Sequence, residues 1–152
     1  MDIAEDLRKT HQEILAAIEG LTPEQLTAPN SFGRWSAREV MLHLAMWAGE
    51  CLKAISVWKT GHSYDWDYAT DYLAFNDFWI KTCHHLSLGQ VTQMLNIHYL
   101  SLTNELAGID ENIWQKRGGC PKWLSEIAIG HSREHIDRLH EYRNRILHKI
   151  SI

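Results

Sequence analysis

The sequence predicts an all-α protein, a four-helix bundle, and three observations carry that prediction. Apolar residues recur at the 3.6-residue spacing of amphipathic helices in four long segments. Three Ser/Thr-x-x-Gln/Glu signatures, starting at Thr22, Ser36 and Ser87, mark helix starts. No segment shows the strict polar and apolar alternation of a half-buried strand. At 152 residues the chain is expected to be one domain, residues 1–152, large enough for a proper core.

The first helix spans about residues 2–20. Its stripe is Ile3, Leu7, Ile14, Ile18 and Leu21, and Gly20 stops it. Thr22-Pro23-Glu24-Gln25 forms a capping box with proline at the first helical position, which predicts a short helical turn. Ser36 opens the second helix, with Val40, His43, Trp47, Cys51, Ala54 and Trp58 inward and Gly61 closing it. Residues 62–68 are an aromatic and acidic connection suited to a pocket mouth. The third helix begins near Thr70 and turns Leu73, Asn76, Ile80 and Cys83 inward. It is interrupted near Leu86 and restarts at Ser87 with the stripe Val91, Leu95, His98, Leu102 and Leu106. Residues 117–121 are a turn. The last helix runs from about Pro121 to His148, with Leu124, Ala128, His131, His135, Leu139, Tyr142 and Ile146 on its stripe. Four long, capped helices pack as an up-and-down or crossover bundle.

Composition narrows the function. Hydrophobic residues are 45% of the chain and charged ones 22%, the balance of a soluble globular domain. A formal net charge of -4 argues against nucleic acid as a partner, which needs a basic face. The basic stretch over residues 133–149 suits a helix C-terminus and its dipole. Cys51, Cys83 and Cys120 are an odd, widely spaced set, which predicts reduced thiols in a cytoplasm. The acidic N-terminus predicts no signal peptide, and no run approaches the length of a membrane span, so no membrane partner is expected. Seven tryptophans are many for this length and predict core or pocket lining.

Three histidines occupy positions that should be apolar: His43, His131 and His135. Imidazoles buried together need several hydrogen-bond partners or one metal ion. His131-Ser132-Arg133-Glu134-His135 places two imidazoles on one helix face about 6 Å apart. It is not H-E-x-x-H, so the zinc-protease reading fails. Two ligands from one helix and a third from a facing helix is how bundles build metal sites. Three neutral nitrogens and an open fourth position suit a divalent metal, Zn²⁺, Ni²⁺ or Fe²⁺. The competing reading is a set of core histidines satisfied by hydrogen bonds. His11 and His98 also lie on stripes, as ordinary core histidines, a fourth ligand or a proton shuttle. The remaining five histidines belong to loops or the surface.

Residues 21–26 and 33–47, the latter opening Gly33-Arg34-Trp35-Ser36 with His43 seven residues after the serine, resemble the start of DinB-like four-helix proteins. Within that superfamily they most resemble the ClbS/DfsB branch. Phe75-Asn76, Leu86-Ser87-Leu88 and residues 130–136 extend the likeness over nearly the whole chain. The resemblance implies an up-down-down-up bundle, often dimeric, with a long crossover between the second and third helices. It implies one divalent metal held by a histidine of the second helix and two of the last, positions that match His43, His131 and His135. The implied chemistry varies, from metal-independent opening of a strained ring in a toxin to thiol-dependent transfer and isomerisation.

Three functions follow from these readings. The first is a metal-dependent hydrolase or thiol transferase acting on a small-molecule substrate, an electrophile, in detoxification or resistance. Glu50 and Tyr99 (or His98) are its candidate acid–base residues; Glu50 as a solvated helix face is the alternative. Trp47, Asn76, Arg138 and the loop over residues 64–68 are candidate pocket residues, with Arg138 alternatively paired at the surface. The second is a binding protein that sequesters a small molecule without turnover. The third is an interaction module with structural histidines. The superfamily resemblance and the number of tryptophans predict a homodimer.

Overall fold

The computed structural model describes residues 2–150, apart from the side chains of Tyr68, Lys149 and Ile150. Helix α1 (Ile3–Ile18) starts at Asp2, whose carboxylate accepts the Glu5 N–H, and ends before Gly20, which takes the left-handed φ of +81°. A short α2 (Pro23–Thr27) leads into α3 (Ala37–Trp58). The crossover carries a 3₁₀ turn (Asp67–Ala69) and α4 (Tyr72–Thr82) before α5 (Leu88–Ala107). Then come α6 (Glu111–Lys116), α7 (Lys122–Ser125), a π-helical segment (Glu126–His131) and α8 (Ser132–Ile150). All three capping boxes form in full, with Gln25, Glu39 and Gln90 returning to the backbone N–H of Thr22, Ser36 and Ser87. Among the described residues there is no strand, only an isolated bridge between Phe32 and Trp35.

Cross-helix polar contacts fix the directions. Arg38, at the start of α3, donates to the Leu86 carbonyl just before α5, while Lys59, after α3, pairs with Glu105 near the end of α5. Helices α3 and α5 are therefore parallel, which is why a long crossover must join them. Glu13 and the Glu19 carbonyl on the α1 side meet Arg133 and Arg143 of α8 in the same order, so α1 and α8 are also parallel. Tyr142, late in α8, donates to the Gln25 carbonyl ahead of α3, so α8 and α3 are antiparallel. The result is the up-down-down-up bundle.

Leu7, Ile14, Met41, Leu44, Ile55, Leu95, Leu102, Leu124, Ile136 and Leu139 are sealed in the core. Four features differ from the sequence expectation. Helix α6 was not expected, although Asp110 caps it through the Asn112 N–H. Leu73 is not on the inner face of α4: it is 70% exposed and Phe75 is the buried residue, while Asn76, Ile80 and Cys83 of the expected stripe do turn inward. The last helix is not regular, because the π segment divides it. Finally, α3 is by length and composition alone apolar enough to cross a membrane, contrary to the expectation from runs of residues. It is the bundle's core helix, with 72% of its most apolar window buried inside the fold.

Candidate metal centre

His43 leaves α3 two turns from its capped start, and His131 and His135 leave the last helix opposite it. Nε2 of His131 lies 3.1 Å from Nε2 of His43 and 3.1 Å from Nε2 of His135. The ligand atoms of all three lie within 4.8 Å of one another. Two bonds of about 2.05 Å at a tetrahedral angle hold ligand nitrogens about 3.3 Å apart, so the two 3.1 Å spacings fit one small cation, toward which the remaining pair closes on binding. Hydrogen bonds fit it less well. A neutral His131 Nε2 offers either one proton or one lone pair, and it faces two ring nitrogens. The set of donors, three imidazoles with no carboxylate or thiolate, suits a borderline divalent ion.

Burial tunes the ligands. His43 is 5% exposed. Desolvation, reinforced by repulsion from His135 and His131, pushes its pKa down to about 3. Desolvation also drives His135 down to about 4, with His131 and Arg138 contributing, and lowers His131. The rings are therefore neutral and carry lone pairs at neutral pH. Nδ1 of His43 is buried without a hydrogen bond of good geometry, and the Asn76 carboxamide is the polar group beside it. Trp35 packs its ring 4.9 Å from that of His43.

The π segment ends on His131. Across the π segment the buried residues of the last helix fall at Leu124, Ala128, Ser132 and Ile136, four apart, before the three-residue spacing of Ile136, Leu139 and Tyr142. In a regular α-helix a four-residue repeat drifts by about 40° per step. The wider π turn absorbs that drift, and π insertions gather at functional sites. A hydroxyl relay holds it: Ser132 Oγ donates to the Ala128 carbonyl (2.9 Å), so Tyr99, 1% exposed, donates to Ser132 Oγ (3.1 Å).

A cavity of about 320 Å³ opens over His43 and His131. Trp47, Trp66, Tyr72 and Ile127 wall it, and Ala69 and Asn76 complete it. A larger hollow of about 510 Å³, between the start of α1 and the loop after α6, lies away from the histidines. The aromatic-walled cavity is the one that meets the chemistry.

The sequence profile of the DinB superfamily matches residues 6–138, a span that includes all three histidines. The chain belongs to the DinB superfamily. No curated protein and no solved structure matches it.

In this DinB superfamily protein the residues singled out from sequence divide into two groups. Trp47 and Asn76 line the cavity and are tied together, Trp47 Nε1 donating to Asn76 Oδ1 at 2.8 Å. Arg138 is exposed, beside His135 but outside the cavity lining. Glu50 is not a solvated face: it is 2% exposed, pairs with Lys53 at 2.9 Å and accepts from Tyr64 Oη at 2.8 Å. It anchors the aromatic loop rather than lining the cavity. Tyr99 holds the π segment. His11, buried, donates Nε2–H to Asn96 Oδ1, and half-buried His98 donates Nδ1–H to the Ala45 carbonyl, so each is tied to a neighbouring helix away from the cluster. In the loop over residues 64–68, Trp66 reaches the cavity, and the Tyr68 side chain lies outside the described residues. Ile127 and Tyr72 were missed. Tyr72 starts α4 and is 61% exposed, so no burial pattern marks it.

Proposed function

We propose that this DinB superfamily protein is a metal-dependent enzyme, a hydrolase or thiol-dependent transferase, that acts on a small electrophilic molecule in detoxification or resistance. The observation that carries this reading is the convergence of three neutral imidazole nitrogens, two of which, from His43 and His131, line a small-molecule-sized cavity. His43, His131 and His135 hold the ion. A bound Zn²⁺, Ni²⁺ or Fe²⁺ supplies a Lewis acid that lowers the pKa of a coordinated water or thiol. The chain's own residues do the rest. Trp47 and Asn76 fix the wall beside His43, the aromatic residues shed bulk water, and Glu50 and Tyr99 act as positioning residues for the loop and the π segment.

The run Gly33-Arg34-Trp35-Ser36 and the spacing to His43 support the ClbS/DfsB branch. The exposed apolar residues Tyr72, Leu73 and Phe78 of α4 and Ile97 and Leu100 of α5 support a homodimer. Light scattering at high concentration tests it against the monomer mass of 17.7 kDa. We place the protein in the cytoplasm on its free cysteines.

Elemental analysis of protein purified without a histidine tag tests the metal. One divalent ion per chain is expected, and none after chelation in His135→Ala. Turnover of an electrophilic substrate by the wild type but not by His135→Ala ties that ion to the reaction. Equal turnover by both removes it. A second reading, sequestration without turnover, is favoured by one feature: no carboxylate is among the described lining residues to move a proton. Recovery of the ligand chemically unchanged after binding distinguishes it.

A further inference from the structure

The cavity over the histidines also says what kind of molecule it takes. Its described lining contains no Asp, Glu, Lys or Arg. Apart from the two histidines, its polar groups are the Asn76 carboxamide, the Tyr72 hydroxyl, the Trp66 indole N–H and the Trp47 indole N–H. That N–H is already spent on Asn76 Oδ1, which leaves the Asn76 amide nitrogen as a donor at the wall. Away from the histidine nitrogens, a charged group entering this space would lose hydration with no opposite charge on the walls to replace it.

The walls are aromatic and held in place. Trp47 packs on Phe75 with ring centroids 4.6 Å apart. Trp66 sits between Tyr64, at 4.8 Å, and Trp123, at 5.3 Å, and Tyr64 is itself bonded to buried Glu50. Rings fixed by their outer edges while their remaining surface borders an open cavity are preorganised partners for a planar guest. A volume of about 320 Å³ is near the lower end for ligand sites, so the guest is small.

We infer that the substrate is a small, planar aromatic or conjugated molecule, uncharged except for the one atom that faces the three histidine nitrogens. This rests on the reading of the histidine cluster as a metal centre. It excludes thiols and electrophiles bearing carboxylates away from the reacting atom. Such groups would have to lie outside the cavity, near exposed Arg138.

Three thiol probes test it: benzyl mercaptan, 4-(mercaptomethyl)benzoate and 2-mercaptoethanol. Each is titrated into the Co²⁺-loaded protein and followed by visible absorption. Benzyl mercaptan is expected to bind about tenfold or more tightly than either of the others, one of which adds a carboxylate and the other of which lacks the ring. Tyr72→Ala should reduce that preference several-fold without changing Co²⁺ affinity; Tyr72 is exposed, so the fold tolerates the change. Trp66→Leu is the second variant and should reduce it further. Equal or tighter binding of the carboxylate or of 2-mercaptoethanol overturns the inference. If the protein takes up no Co²⁺, the metal reading fails by itself. The same probes are then followed by tryptophan fluorescence: a preference for benzyl mercaptan still supports the inference, and no preference overturns it.

Discussion

Helix α3 and the last helix serve the same nitrogen cluster by different means. His43 rides on 22 residues of continuous α-helix opened by a full capping box, and ordinary periodicity aims it inward. His131 closes a π-helical segment, and His135 follows one turn into α8. On α3 the local sequence suffices. On the last helix the ligand's direction depends on a register change, which is held by a buried relay from another helix, Tyr99 to Ser132 to the Ala128 carbonyl. The first ligand is placed by secondary structure and the second by tertiary structure.

Removing a ligand tests whether the two helices share one ion. His43→Ala, His131→Ala and His135→Ala should each weaken metal binding well beyond the ~10–100-fold that loss of a supporting partner costs. Competition with a chromophoric chelator measures it, and circular dichroism checks that the helices persist. A variant of either helix that binds metal like the wild type would separate that helix from the site.

Acid should destabilise the metal-free protein through the same three rings. Their folded pKa values are depressed, with His43 at about 3 and His135 at about 4, against an unfolded value near 6.5. Between those limits the unfolded chain binds more protons, so stability rises with pH. It is full above pH ~6.5 and is lost as pH falls through the folded values, to about 4 for His135 and about 3 for His43. For His43, which is nearly sealed, the loss is on the order of a few kcal/mol. Urea midpoints in chelator across that range measure it, and His43→Leu should remove one ring's share of the slope, leaving the shares of His135 and His131.

A smaller effect separates the two helices. Tyr99→Phe removes one buried hydrogen bond and leaves Ser132 Oγ without its donor, for about 1–2 kcal/mol of stability. If the relay sets the π register, metal affinity should also fall about tenfold, as for other supporting contacts. A loss of stability with unchanged affinity would make Tyr99 structural only.

How much of this was legible follows from the same contrast. The capping boxes were readable because their partners lie three residues apart, and the crossover break at Ser87 was readable for that reason. The histidines were readable because an imidazole on an apolar stripe conflicts with its surroundings. The π segment was not identified, although the four-residue spacing of Leu124, Ala128, Ser132 and Ile136 was its signal, because histidines at 131 and 135 fit a regular stripe equally well. Glu50 read as an acid–base residue or, alternatively, as a solvated face, because its burial comes from Tyr64 folding over it, a contact that helical periodicity does not encode. Leu73 was misplaced since α4 packs by one face of a short crossover helix with apolar residues on both sides.

The smallest prediction is the control on α3. Ser36→Ala removes the hydroxyl that accepts the Glu39 N–H and unpicks the reciprocal bond from Glu39 to the Ser36 N–H. Loss of such a cap costs about 1 kcal/mol. The damage is confined to the first turn, because the N–H groups left unpaired lie there and His43 begins beyond it. Thermal melts should therefore show a modest decrease in Tm, while metal affinity stays within about twofold of wild type, under the ~10-fold expected when a supporting contact is lost. Tyr99→Phe and Ser36→Ala would then cost similar stability yet differ in metal binding. If Ser36→Ala weakened metal binding as much as Tyr99→Phe, both ligand helices would depend on global rigidity, and the special role of the π segment would be lost.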